Sequence, residues 1–140
     1  ASEANNTAPD TAEVAATDVP GYVKGINFNF TNWEEALAAA KEQNKPIFLD
    51  AYANWCRPCR EMDKEVFAQT RVGDFYNENF INVKLNIDEG DGRTLSEEYE
   101  IMEIPAYLYF NPNGELVHRT IGKKPVDIFL EDGKEALEKS

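Results

Sequence analysis

Cys56 and Cys59 are the only cysteines in this 140-residue chain, separated by Arg57 and Pro58. Two thiols at this spacing suit thiol–disulfide exchange, and their surroundings strengthen that reading. Ile47-Phe48-Leu49-Asp50-Ala51-Tyr52 reads as a buried strand, and Arg57 to Phe67 reads as a helix. The strand delivers Cys56 to the helix N-terminus, where unpaired N–H groups and the positive dipole end favour a thiolate over a thiol. Reactive cysteines in such places have a pKa of roughly 3.5–7.5 instead of about 8.5. Cys56 is therefore the expected exposed nucleophile, and Cys59, one turn inside, the covered resolving thiol. A zinc site is the weaker reading, because it needs four ligands and His118 is the sole histidine. An inert structural bridge is a further alternative, although so short a loop constrains the unfolded chain little. Two unrelated buried thiols would leave the flanking pattern unexplained.

Other residues near the pair invite a role. Asp50 interrupts an apolar strand, which is unusual for a carboxylate unless it lies at an exposed edge. Trp55 is a candidate lid over the thiols, or a packing residue. Arg57 is expected to stabilise a Cys56 thiolate by proximity, modestly, because an exposed charge is screened. His118 is expected to decorate a strand surface. The acidic group Asp88, Glu89, Asp91, Glu97, Glu98 and Glu100 reads first as a solvated face, and second as a selector of basic partners.

The elements that must position these residues can be read in order. Gly25 to Phe30 alternates apolar and polar and reads as a first strand. Thr31 and Glu34 fit a capping box, opening a helix that ends at Asn44-Lys45-Pro46. After the cysteine helix, a break near Gln69-Thr70 precedes a second helical piece. Phe80 to Ile87 reads as a strand, 88–92 as a turn-rich loop, and Thr94 to Glu100 as a short helix. Ala106 to Phe110 and Glu115 to Ile121 read as a hairpin joined by Asn111-Pro112-Asn113-Gly114. Pro125 opens the last helix, in which Gly133 would cost about 1 kcal/mol relative to Ala. The order β-α-β-α-β-α-β-β-α predicts an α/β fold with parallel crossovers, an antiparallel hairpin and helices on both faces.

Composition narrows the function. The length suits one domain, and 42% hydrophobic residues suit a packed core. No apolar run is long enough to span a bilayer, so no transmembrane segment is expected. A net charge of −12 without a basic stripe argues against a nucleic-acid partner. Residues 1–20 are polar and are expected to form a disordered tail ahead of one domain over 21–140. The tail has no initiator Met, basic n-region or apolar h-region, so it is not itself read as a signal peptide. Its polar start is similar to the end left by leader cleavage or by trimming, and its composition also suits a spacer from a membrane anchor.

Asp50-Ala51-Tyr52-Ala53-Asn54-Trp55-Cys56-Arg57-Pro58-Cys59 resembles the active-site segment of the thioredoxin family. Val83-Lys84-Leu85-Asn86-Ile87-Asp88, Ile104-Pro105-Ala106 and Gly122 resemble later landmarks of the family, in the same order. Lys45 to Asp50 with Glu65-Val66-Phe67 is similar to the thioredoxin-like domain of exported bacterial thiol:disulfide interchange proteins. Arg57 stands where cytosolic thioredoxins usually carry glycine, and Ala106 where they carry threonine. The resemblance implies a thioredoxin-like fold with a central mixed five-stranded sheet. It implies catalytic Cys56 and Cys59, with Asp50 a buried acid that relays the Cys59 proton and Lys84 beside it. It also implies a cis peptide before Pro105, and a substrate surface made by Trp55, Arg57, Pro58, Ile104 and Pro105. No metal and no cofactor beyond the Cys56–Cys59 disulfide is expected. The expected activity is a reductase of protein disulfides outside the cytosol, in the periplasm or another exported location, with a membrane protein as electron donor. An oxidase or isomerase of the same fold, or an adaptor with a non-catalytic cysteine pair, is the alternative.

Overall fold

The computed structural model describes residues 24–140; the expected tail over 1–20 lies outside the described residues. Strands β1 (Ile47–Tyr52), β2 (Ile81–Asn86), β3 (Ala106–Phe110) and β4 (Leu116–Ile121) form one sheet in the order β2-β1-β3-β4. β1 and β2 are parallel, and the β1–β3 and β3–β4 pairs are antiparallel. Among the described residues five helices pack around it: α1 (Trp33–Gln43), α2 (Arg57–Met62), α3 (Thr70–Asn79), α4 (Gly90–Glu98) and α5 (Val126–Lys139). A π-helical turn, Asp63–Phe67, continues α2.

The sheet has two cores because side chains alternate across it. Ile47, Leu49 and Ala51 of β1 join Ala36, Ala40 and Leu95 on the face under α1 and α4. Phe48, Tyr107 and Tyr109 join Met62, Tyr76 and Phe129 on the other face, under α2, α3 and α5. That second core is aromatic and contains one buried polar link. The hydroxyls of Tyr76 and Tyr109 lie 2.8 Å apart, and Tyr76 also donates to the Phe129 carbonyl at 3.0 Å. Asp50 sits on the Phe48 side of β1, so the strand's own alternation directs it toward α2 and the cysteines.

Four departures from the sequence reading have local causes. The expected fifth strand over 25–30 makes only one bridge, Phe30 to Val83. Three of its backbone groups are committed elsewhere: Ile26 N–H donates to Phe67 O, Asn27 N–H to Asn77 Oδ1, and Gly25 O accepts from Asn77 Nδ2. A ladder needs those same groups, so the sheet stops at four strands. Second, the N-cap of α1 is Asn32, not Thr31: its carboxamide oxygen accepts the Glu35 N–H at 2.9 Å. Third, α4 begins at Gly90, inside the expected loop, and Asp91 in its first turn accepts the Trp33 N–H at 2.8 Å. Fourth, Gly133 is a packing requirement. A Cβ there would stand 2.7 Å from the Tyr76 hydroxyl and 2.8 Å from the Phe75 ring, so its small size lets α5 close on α3.

Candidate active site

β1 ends at Tyr52, the chain turns through Asn54 and Trp55, and Cys56 caps α2. Cys56 has extended backbone angles, and its Sγ accepts the Cys59 N–H at 3.2 Å. The sulfur therefore takes the place that a Ser or Asp side chain fills at other helix starts. No acidic residue lies in the first turn, so nothing there opposes negative charge on the sulfur. Exposed Pro58 stands in that turn, where a missing N–H costs no helix bond. Cys56 and Cys59 form a disulfide.

Exposure does not separate the two cysteines as the sequence reading expected. Each is only 3% exposed, packed with Ala53 and against Tyr52, Ile87 and Ile104. What separates the two is helix position: Cys56 caps the helix and Cys59 lies inside it.

The Ile104–Pro105 peptide is cis, Pro105 is buried, and Ile104 lies against the cysteine cluster. Among the described residues, no hydrogen bond engages the backbone of Met102, Glu103 or Ile104. Trp55 is 68% exposed, with its indole N–H donated to Asp88 Oδ2 at 2.9 Å. That bond ties the ring toward the acidic loop, where it walls a groove of about 380 Å³ with Ile87, Met102 and Ile104. Arg57 turns to Glu61, with Nε 3.1 Å from a carboxylate that Lys123 shares at 3.1 Å. The Arg57 side chain is 81% exposed, so water screens both that pair and the expected proximity effect on Cys56.

Asp50 is 2% exposed, and the Lys84 ammonium lies 2.6 Å from its Oδ2. β1 and β2 place them there, since Asp50 and Lys84 are register partners. Burial drives the Asp50 pKa up, and Lys84 opposes that without cancelling it. Burial pulls Lys84 down, but the carboxylates of Asp50 and Asp63 together outweigh it and hold the ammonium above its ordinary value. Asp63, which the sequence reading missed, lies 2.8 Å from the same ammonium. Its spacing of four from Cys59 was the available signal, since residues four apart share a helix face. Lys84 also lies over the rings of Phe28, Tyr52 and Phe67.

His118 is half-buried, with Nδ1 3.0 Å from Lys139 Nζ. It lies near Asp132 and Glu135, whose carboxylates are already paired with Lys124 and Lys139.

Comparison with known proteins agrees with this geometry. A profile of the thioredoxin-like family matches residues 29–112. The solution structure of a disulphide-isomerase candidate from Bacteroides thetaiotaomicron is 32% identical. It superposes with a TM-score of 0.74 over 84% of this chain and 98% of that one. The thiol:disulfide interchange protein DsbD of Pseudoalteromonas atlantica is 30% identical over 112 residues, 78% of this chain. This chain spans only 19% of that relative's length. The oxidised C-terminal domain of DsbD from Neisseria meningitidis shares the fold, with a TM-score of 0.63, 23% identity, and coverage of 76% of this chain and 97% of that domain. With its Cys-x-x-Cys closed as a disulfide at a helix start facing a cis-proline, this chain belongs to the thioredoxin-like family.

Proposed function

We propose that this chain is a thiol–disulfide oxidoreductase that reduces disulfides in other proteins outside the cytosol. The observation that carries the reading is the Cys56–Cys59 disulfide at a helix N-cap, beside a segment whose backbone is unpaired among the described residues. In the reduced protein, the Cys56 thiolate attacks one sulfur of a substrate disulfide. That S–S bond breaks, a mixed disulfide forms, and the departing substrate sulfur takes a proton. Cys59 then gives up its proton, attacks Cys56 Sγ and releases the second substrate sulfur as a thiol. Substrate gains two electrons and two protons, and the protein returns to the disulfide form.

Asp50 is the acceptor proposed for the Cys59 proton. Its raised pKa makes it a better base than an exposed carboxylate, and Lys84 bridges it to half-exposed Asp63, from which the proton can leave for water. Among the described residues the N–H and C=O groups over 102–104 are unpaired and offer main-chain bonds to an extended substrate segment, with exposed Trp55 and Pro58 forming the rim and buried Pro105 setting the cis turn behind them. Each cycle consumes a dithiol, so a donor dithiol protein is required. Kinship with DsbD supports a membrane protein in that role and supports export. No described helix is long and apolar enough to cross a membrane.

Reduction of insulin by dithiothreitol tests the activity, with the Cys56→Ser/Cys59→Ser protein as control. Acceleration over that control is expected, and its absence would favour an adaptor role. The direction is tested by equilibrating the pair against glutathione. A potential near that of thioredoxin, about −270 mV, supports a reductase, and one near about −120 mV supports an oxidase.

A further inference from the structure

The groove beside Cys56 extends beyond the rim. Its part between Trp55 and Ile104 shares Ile101, Met102 and Glu103 with a second hollow of about 280 Å³, which runs on past Glu100 to Arg119 and Ile121. The described residues include four exposed large hydrophobics, and three of them line this track: Trp55 at 68%, Met102 at 88% and Ile121 at 47%. Apolar side chains concentrated on one exposed track mark a docking surface rather than random placement.

The charges on the track are mainly acidic, with Glu100 and Glu103 against Arg119. The carboxylates of Glu100 and Glu103 make no ion pair or hydrogen bond among the described residues. Arg119, the cation on it, donates to the Tyr99 carbonyl, a neutral acceptor that directs the guanidinium without cancelling its charge. Nearby Arg93 donates in the same way to the Asp88 carbonyl. Glu97 and Glu98 extend the negative field along exposed α4. Across the disulfide, Arg57 pairs with Glu61, which Lys123 also engages, and Arg60 donates to the Asn54 carbonyl.

Resting on the oxidoreductase reading, we propose that this track selects the partner. It takes an extended segment carrying a large apolar side chain beside the exchanging cysteine, with Lys or Arg at neighbouring positions facing Glu100 and Glu103. The apolar side chain fills the groove between Trp55 and Met102. The basic groups approach unpaired carboxylates and are drawn in by their field. Because the acids are exposed, the selectivity is an association effect that salt suppresses.

The test uses two disulfide-bridged peptides that share a Leu beside the cysteine and differ only in Lys or Glu at the flanking positions. The readout is the ratio of their kcat/KM values on one protein sample, which does not depend on the folded fraction. At low ionic strength the Lys peptide is expected to be favoured about tenfold, as rim charges act mainly on association. Glu100→Lys/Glu103→Lys should abolish or invert the preference. At about 1 M salt, where screening acts within about 3 Å, the ratio should approach one. A ratio near one at low salt, a preference for the Glu peptide, or a preference unchanged by the double substitution would overturn the proposal. Hydroxyethyl disulfide, small and uncharged, is assayed on the unmodified protein in parallel. Turnover of it with no charge preference rejects the track alone, and no turnover of any disulfide rejects the oxidoreductase reading.

Discussion

Replacing Lys84 with methionine removes the charge that compensates Asp50 while keeping most of the side chain's bulk. Loss of one partner from a buried ion pair typically costs about 3–5 kcal/mol. Here the cost is reduced, because Lys84 is 22% exposed and Asp50 can take up a proton instead of remaining charged. About 2–3 kcal/mol is expected at pH near 8, a thirtyfold or greater fall in the folded-to-unfolded ratio. Part of that, on the order of 1 kcal/mol, comes from the ammonium's contacts with the Phe28, Tyr52 and Phe67 rings and does not vary with pH in this range. The rest depends on Asp50. Its folded-state pKa already stands above its ordinary value because it is buried, and it rises further without Lys84. Stability linked to a raised acid is complete below the unfolded pKa, about 3.9, and is lost as pH rises through the folded value. The deficit of Lys84→Met should therefore be smaller near pH 5 than near pH 8, with the ring contacts, on the order of 1 kcal/mol, as its floor. Adding Asp50→Asn should restore most of the pH-dependent share. Urea unfolding of the three proteins at both pH values measures this. An equal deficit at the two pH values, or no rescue by Asp50→Asn, would refute the account of Asp50 as a buried acid held by Lys84.

Cys59→Ser should accumulate mixed disulfides with partner proteins on non-reducing gels, because attack by Cys56 survives and resolution does not, whereas Cys56→Ser should trap nothing. Gly133→Ala should destabilise by about 1–3 kcal/mol in thermal unfolding. Overpacking against the Tyr76 hydroxyl and the Phe75 ring outweighs the gain in helix propensity of about 1 kcal/mol, and a raised midpoint would contradict this. Asn32→Ala should cost about 0.5–2 kcal/mol through loss of the α1 cap, with Thr31→Ala nearly neutral in the same assay.

Some of these features were legible because they are local. Cys-x-x-Cys between an apolar strand and a helix needs no distant contact to be recognised. A charged residue on an apolar strand marks Asp50 as exceptional, since burying it demands compensation. Other features were misread because two local readings were equally good. Thr31 and Asn32 are both competent caps, and in the structure Asn32 takes the extended backbone angles and accepts the Glu35 N–H. The 25–30 segment alternates like a strand, but alternation reports only which side chains are buried, not which groups satisfy the backbone. Asn77, some fifty residues away, takes the hydrogen bonds that a sheet would have used.

The sequence by itself determined the chemistry and the layering: the thiol pair, the helix start beneath it, the apolar strands and the turns between them. Each rests on residue type and spacing within one or two elements. The tertiary structure decided which groups meet. It joined Lys84 to both Asp50 and Asp63, turned Arg57 toward Glu61, tied Trp55 to Asp88, and set Glu100 and Glu103 along the groove that leads to Cys56. The reason is that electrostatic and packing interactions depend on distance in space and on exclusion of water. Both arise only after the sheet register and the helix docking are in place.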